Sequence, residues 1–145
     1  MVEKIFIEEM CEALEIEVPV ISFDTSTFTS DTMMANIDPN GYIMHIRPAD
    51  MINFDLFFAI SHELRHIWQM QKHKEIFFRS YHPREEFEDV NDYNMQLAEI
   101  DANAFAAFII EECFGVHPLF KGFSKKVRDA IWQYVEDRFN FDLID

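Results

Sequence analysis

Glycine and proline are scarce, 3 and 5 among 145 residues. That excludes collagen-like and low-complexity classes. Cysteine is scarcer still. Cys11 and Cys113 are too few for a disulfide framework and form no CxxC pair, so a reducing compartment is expected. No run approaches the ~20 apolar residues of a membrane span. The first ten residues, MVEKIFIEEM, carry Glu3, Lys4, Glu8 and Glu9, which interrupt any apolar signal core. These absences point to a cytoplasmic protein. Positive charge is also in short supply. Lys and Arg number 12 against 27 Asp and Glu, a net charge of -15. Such a field repels phosphate backbones and anionic bilayers, so neither direct nucleic-acid binding nor membrane association is expected.

What is present suits a folded chain. Hydrophobic residues make up 49% and charged residues 27%, values normal for a globular protein. The length suggests one domain, residues 1–145. Aromatics reach 15%, with 16 Phe, and are expected to fill the core. Residues 2–15 read as an amphipathic helix, with Ile5, Ile7, Met10, Cys11 and Leu14 near helical spacing. Residues 17–23 look extended, and 24–31 read as a loop. Two β-forming runs flank Asn40-Gly41, a strong turn signal, which predicts a hairpin. The fold class is therefore α+β, with a small, largely antiparallel sheet of about three strands. A long helix is expected over 48–74, an irregular excursion over 75–92, and a second strong helix over 94–113 ended by Gly115. Ser124 caps a last helix running to 139.

The informative stretch is His62-Glu63-Leu64-Arg65-His66. Residues four apart on a helix lie about 40° apart in projection, so His62 and His66 point the same way. Glu63 sits on the flank of that stripe. This is the HExxH arrangement, in which two imidazoles hold Zn²⁺ and the glutamate handles a proton. Leu56, Phe57, Ile60, Leu64, Ile67 and Trp68 cover the opposite side of the helix. Polar groups on so apolar a helix need partners. A third ligand is required. The metzincin spacing would demand Gly at 69 and His at 72, but the chain has Gln69 and Lys72, with His73 one residue late. His82 and Glu99 remain. Glu99 lies on the next strong helix, on a face shared with Met95, Asn103, Ala106 and Ile110. Small Ala102 and Ala106 favour a close approach of the two helices. Asn103, one turn after Glu99, can hydrogen-bond a metal-bound histidine. Glu99 is the favoured ligand.

HELRH followed by Glu99-Ile100-Asp101-Ala102-Asn103-Ala104-Phe105-Ala106 resembles the ImmA/IrrE-type metallopeptidases, whose pattern is HExxH, an interval, then E-x-E-A-N-x-F-A. The resemblance covers two helices closely and the order of elements across roughly the first 115 residues. It implies a zincin-type domain with one Zn²⁺ per chain, held by His62, His66 and Glu99, with Glu63 as catalytic base. It further implies a zinc-dependent metalloendopeptidase that cleaves a specific intracellular regulatory protein, such as the transcriptional repressor of a mobile element or stress regulon. The departures are specific. Arg65 stands where family members commonly have Gly, Asp101 replaces a glutamate, and Phe108-Ile109-Ile110-Glu111 stands in place of a Leu-Leu-Met-Pro-like ending. No helix-turn-helix segment is evident. The chain thus reads as a divergent member, or a neighbouring minimal gluzincin.

Tyr81, His82, Tyr93 and Tyr134 are all candidates for a second oxyanion stabiliser. Two other readings stand beside the peptidase. One is a metal-stabilised acidic interaction module with little turnover, binding a basic partner or mimicking nucleic acid. The other is a repair-type HExxH protease resembling the SprT group, with His82 as third ligand. The acidic run 85–89 reads as a solvated loop that can also receive a basic substrate segment. His45, His73 and His117 are set aside as ordinary surface or half-exposed histidines.

Overall fold

The computed structural model describes residues 2–48, 52–78 and 81–139. The elements run α1 (Val2–Leu14), β1 (Val20–Ser22), β2 (Ala35–Asp38), β3 (Ile43–Ile46), α2 (Phe54–Lys72) and α3 (Lys74–Phe77). A 3-10 turn (Arg84–Glu86) follows, then α4 (Val90–Asn94), α5 (Leu97–Phe114) and α6 (Lys125–Arg138). The class is α+β. No helix among the described residues is long and apolar enough to cross a membrane.

Helix α1 buries Phe6, Ile7, Met10, Cys11 and Leu14. Ile5 is exposed and Phe6 takes its place, because the buried stripe follows 6, 7, 10, 11 and 14, three and four residues apart. The sheet has the order β1-β3-β2. Strands β2 and β3 pair antiparallel, as the turn signal predicts. Strands β1 and β3 pair parallel, so the sheet is mixed rather than antiparallel throughout. The long stretch 23–34 between β1 and β2 allows this, since parallel neighbours need a long connection. The hairpin loop also differs from a two-residue turn. It spans residues 39–42, and Tyr42 rather than Gly41 adopts the left-handed conformation, at φ 54°. Gly41 sits in a tight place: a Cβ there would stand 3.0 Å from Asp38 Oδ2 and 3.2 Å from Ile43 Cδ1.

Ala35, Met44 and Ile46 line the inner face of the sheet and join α1 and α2 in the main core cluster. Strand β2 packs directly on α2. Helix α2 starts at Phe54, not near residue 48, because Asn53 accepts a hydrogen bond from the Leu56 N–H at 3.2 Å and so caps the helix there. Residues 49–51 of the expected helix lie outside the described residues. The second strong helix begins later than expected too. Gln96 is extended (φ -61°, ψ 146°) and separates α4 from α5.

Helix α5 is buried nearly all round, the mark of a central helix. Ala102 and Ala106 are fully buried on it, and α5 packs most extensively on α2. On its other side Ile100, Ala104 and Ala107 meet Val127, Ile131 and Val135 of α6 in a second cluster. Gly115, at φ 67°, ends α5 as expected. Ser124 caps α6 by accepting from the Val127 N–H. The result is a three-helix sandwich, α2 against α5 against α6, with the HExxH stretch facing the first turn of α5.

Candidate metal centre

His62 and His66 stand one turn apart on α2, with ring centroids 4.7 Å apart and planes at 84°. Glu99, in the first turn of α5 and 2% exposed, faces them. His62 Nε2 lies 3.2 Å from Glu99 Oε2, His66 Nε2 lies 3.2 Å from Glu99 Oε1, and the two Nε2 atoms are 3.1 Å apart. Three ligand atoms each ~2.0–2.1 Å from one tetrahedral ion stand roughly 3.3 Å from each other. The two imidazole nitrogens stand close to that distance from each other and each from one Glu99 oxygen, and with one atom from each residue the three lie within 4.8 Å, a group able to hold a metal ion.

The other ring nitrogens are already committed. His62 Nδ1 donates to Asn103 Oδ1 at 2.8 Å. His66 Nδ1 donates to Gln69 Oε1 at 2.9 Å. The Gln69 amide is oriented unambiguously, because its nitrogen donates to the Ala98 carbonyl (3.0 Å) and to Asp101 Oδ2 (2.7 Å). With both Nδ1 atoms committed in this way, each ring turns its Nε2 toward the same point, as ligation needs. A carboxylate faces that point too. Three acceptors converging at this distance repel one another unless a cation lies between them. A proton on an imidazole can serve as that cation. Burial pushes the His66 imidazole down, but the hydrogen bond and charge of Glu99, with Glu63 and Gln69, raise it to about 9. Burial likewise pushes Glu99 up, yet the two histidines hold it well below the usual carboxylate range. Two imidazoles and a carboxylate are a donor set that fits Zn²⁺.

Glu63 is half-buried beside the triangle. No hydrogen bond from the described residues reaches its carboxylate. Burial raises its pKa, His62 and His66 counteract that, and Glu99 adds to it. A carboxylate with a raised pKa and no committed partner suits a proton acceptor.

The four candidate oxyanion donors separate cleanly. Tyr93 donates to Glu99 Oε1 at 2.7 Å. Tyr81 meets the Tyr93 hydroxyl at 3.1 Å and its ring lies 6.3 Å from that of His66. Tyr134 is elsewhere, donating to Asp101 Oδ1 at 2.6 Å. His82 is exposed and pairs with Glu86 at 3.2 Å. The structure therefore brings Glu99, not His82, to the two histidines. Burial and the neighbouring Glu99 charge raise Tyr93 strongly, so it stays a donor.

Sequence reasoning missed the frame behind the ligands. Arg65 and Asp101 form a buried fork, Nε to Oδ2 at 2.8 Å and Nη2 to Oδ1 at 3.0 Å. The Arg65 guanidinium also lies 3.5 Å from the Trp68 ring centre. Burial opposes ionisation of Asp101, but Arg65, Tyr134 and Gln69 hold its pKa below the ordinary value. A signal was available. Arg65 and Asp101 carry opposite charge, one on each of the two helices that bear the candidate ligands. Gln69, three residues after His66, was read only as a failed metzincin glycine. No protein family, curated protein or solved structure matches this chain.

Proposed function

We propose that the protein is a zinc-dependent metallopeptidase. The observation that carries this reading is the convergence of His62 Nε2 and His66 Nε2, 3.1 Å apart, on the Glu99 carboxylate, each 3.2 Å from one of its oxygens, with both Nδ1 protons already used. His62, His66 and Glu99 would hold the ion. When bound, zinc supplies Lewis acidity, polarising the scissile carbonyl and lowering the pKa of water. Glu63 accepts a proton from the attacking water and delivers it to the leaving amine nitrogen. Asn103 and Gln69 hold the imidazoles in the tautomer that ligation needs. The substrate, by the sequence resemblance, is an intracellular regulatory protein such as a mobile-element repressor, and the site of action is the cytoplasm.

Elemental analysis of purified wild type, His62→Ala and Glu99→Ala tests the site. Near-stoichiometric zinc in wild type, lost in both variants, is the expected result. A wild type that takes up no zinc when supplied with it sinks the peptidase reading.

The net charge of -15 favours a second reading, an acidic module that binds a basic partner and needs no turnover. Glu63→Gln separates the two. A biological effect that persists in this variant, with the metal still bound, belongs to the interaction module.

A further inference from the structure

Glu99 offers two oxygens to the metal centre, and both lie within reach of it. Oε2 is 3.2 Å from His62 Nε2, and Oε1 is 3.2 Å from His66 Nε2. A carboxylate free at both oxygens can chelate one ion. That would fill the position which a hydrolytic zinc site keeps open for water. Oε1, however, already has one lone pair engaged, because the Tyr93 hydroxyl stands 2.7 Å from it, which weakens it as a second ligand.

The direction of this bond is fixed by chemistry. An ionised carboxylate only accepts, so Tyr93 donates. Its single proton is then used, and in the 3.1 Å contact between the two tyrosine hydroxyls Tyr81 must be the donor. The relay runs one way, from Tyr81 to Tyr93 to Glu99. Its anchoring is also specific. The Gln96 side chain accepts from the His82 N–H at 2.6 Å, donates to the His82 carbonyl at 3.0 Å and to the Tyr93 carbonyl at 3.1 Å. This one amide ties the segment bearing Tyr81 to the segment bearing Tyr93. Phe77 stacks on Tyr81 at 4.4 Å, and Phe87 meets Tyr93 edge-on at 5.9 Å. The excursion between α2 and α5 thereby aims one hydroxyl at one oxygen of the third ligand.

We propose that Tyr93 is a positioning residue that occupies Glu99 Oε1, so that Glu99 gives the metal a single oxygen and the fourth coordination position stays open. This role rests on the metal-centre reading above, and the test separates the two.

Cobalt(II) is the probe, titrated into the full-length metal-free chain. Its visible absorption is intense when four-coordinate and weaker when the coordination number rises. Wild type, Tyr93→Phe, Tyr81→Phe and Tyr42→Phe are compared. The phenylalanine keeps each ring and removes one hydroxyl. Tyr42, whose hydroxyl donates to the Glu17 carbonyl in the hairpin region, is the control for that loss alone. Tyr93→Phe is expected to weaken the visible band and to lower cobalt affinity about 10- to 100-fold, the usual consequence of losing a ligand's hydrogen-bond partner. Tyr81→Phe is expected to change both less, and Tyr42→Phe neither. A Tyr93→Phe spectrum and affinity equal to wild type would overturn the proposal. So would an equal change in Tyr42→Phe, which would mark general loosening. Failure of the wild type itself to bind cobalt removes the metal centre and, with it, this role.

Discussion

The helices α2 and α5 bury two polar clusters side by side, and the two are completed differently. In the first, Asp101 is fully buried and receives four hydrogen bonds, two from Arg65, one from Gln69 and one from Tyr134. Both oxygens of the carboxylate are met by donors, and one positive charge meets one negative charge. In the second, two imidazole nitrogens and the Glu99 carboxylate converge on one point, and only a proton or another cation can lie between them. The first cluster is closed and holds the helices together. The second is open and asks for a cation. Burial of polar groups alone does not distinguish structure from function, whereas the balance of donors and acceptors does.

The comparison can be broken from either side. Glu63 lies beside the open cluster, and Glu63→Gln is expected to lower hydrolysis of a cleavable protein substrate by about 10²–10⁴-fold. Zinc content should be unchanged, measured on the same preparation. Retained turnover would remove Glu63 from the chemistry. In the closed cluster, Asp101→Ala leaves Arg65 buried without its counter-charge. Urea unfolding should report a loss of about 3–5 kcal/mol. A small loss would mean that Arg65 escapes to solvent and that the cluster is not closed.

Metal removal acts on the open cluster alone. Zinc at 100 times its dissociation constant should stabilise the wild type by about 2.7 kcal/mol, and thermal melts with and without a chelator read this. The increment should vanish in Glu99→Ala. Smaller again is Asn103→Ala, expected to weaken zinc binding about 10- to 100-fold in a chelator competition by releasing the His62 ring. Gln69 belongs to both clusters, since it accepts from His66 and donates to Asp101. Gln69→Leu should therefore reduce metal affinity and stability together, while Asn103→Ala should change mainly the first. Equal stability losses in the two variants would blur the boundary between the clusters.

Much of this arrangement was legible in the residue order. The helical repeat places His62 and His66 on one face, and the spacing of Glu99 and Asn103 puts the candidate ligand and the amide that meets His62 one turn apart on the next helix. Helix ends were legible where a local signal acts, as at Gly115 and Ser124. The start of α2 was not, because Asn53 competes with earlier polar residues as a cap and only the folded backbone chooses. The parallel pairing of β1 was hidden for a different reason. A hairpin is written in two or three turn residues, but a neighbour brought in across residues 23–34 leaves no local mark. Among the oxyanion candidates, Tyr81, Tyr93 and Tyr134 look alike in the sequence. Their distribution between the two clusters follows from how the excursion after α2 folds back.

Residue order thus specified the chemistry available: two imidazoles in phase, a carboxylate on a second helix, small alanines that let the helices close. Those properties are local, fixed by a helical repeat of about 3.6 residues and by side-chain size. Which polar groups end with partners and which end facing one another is not local. It depends on long-range packing that sets Gln69 between His66 and Asp101, matches Arg65 to Asp101, and turns Tyr93 toward Glu99 rather than toward solvent.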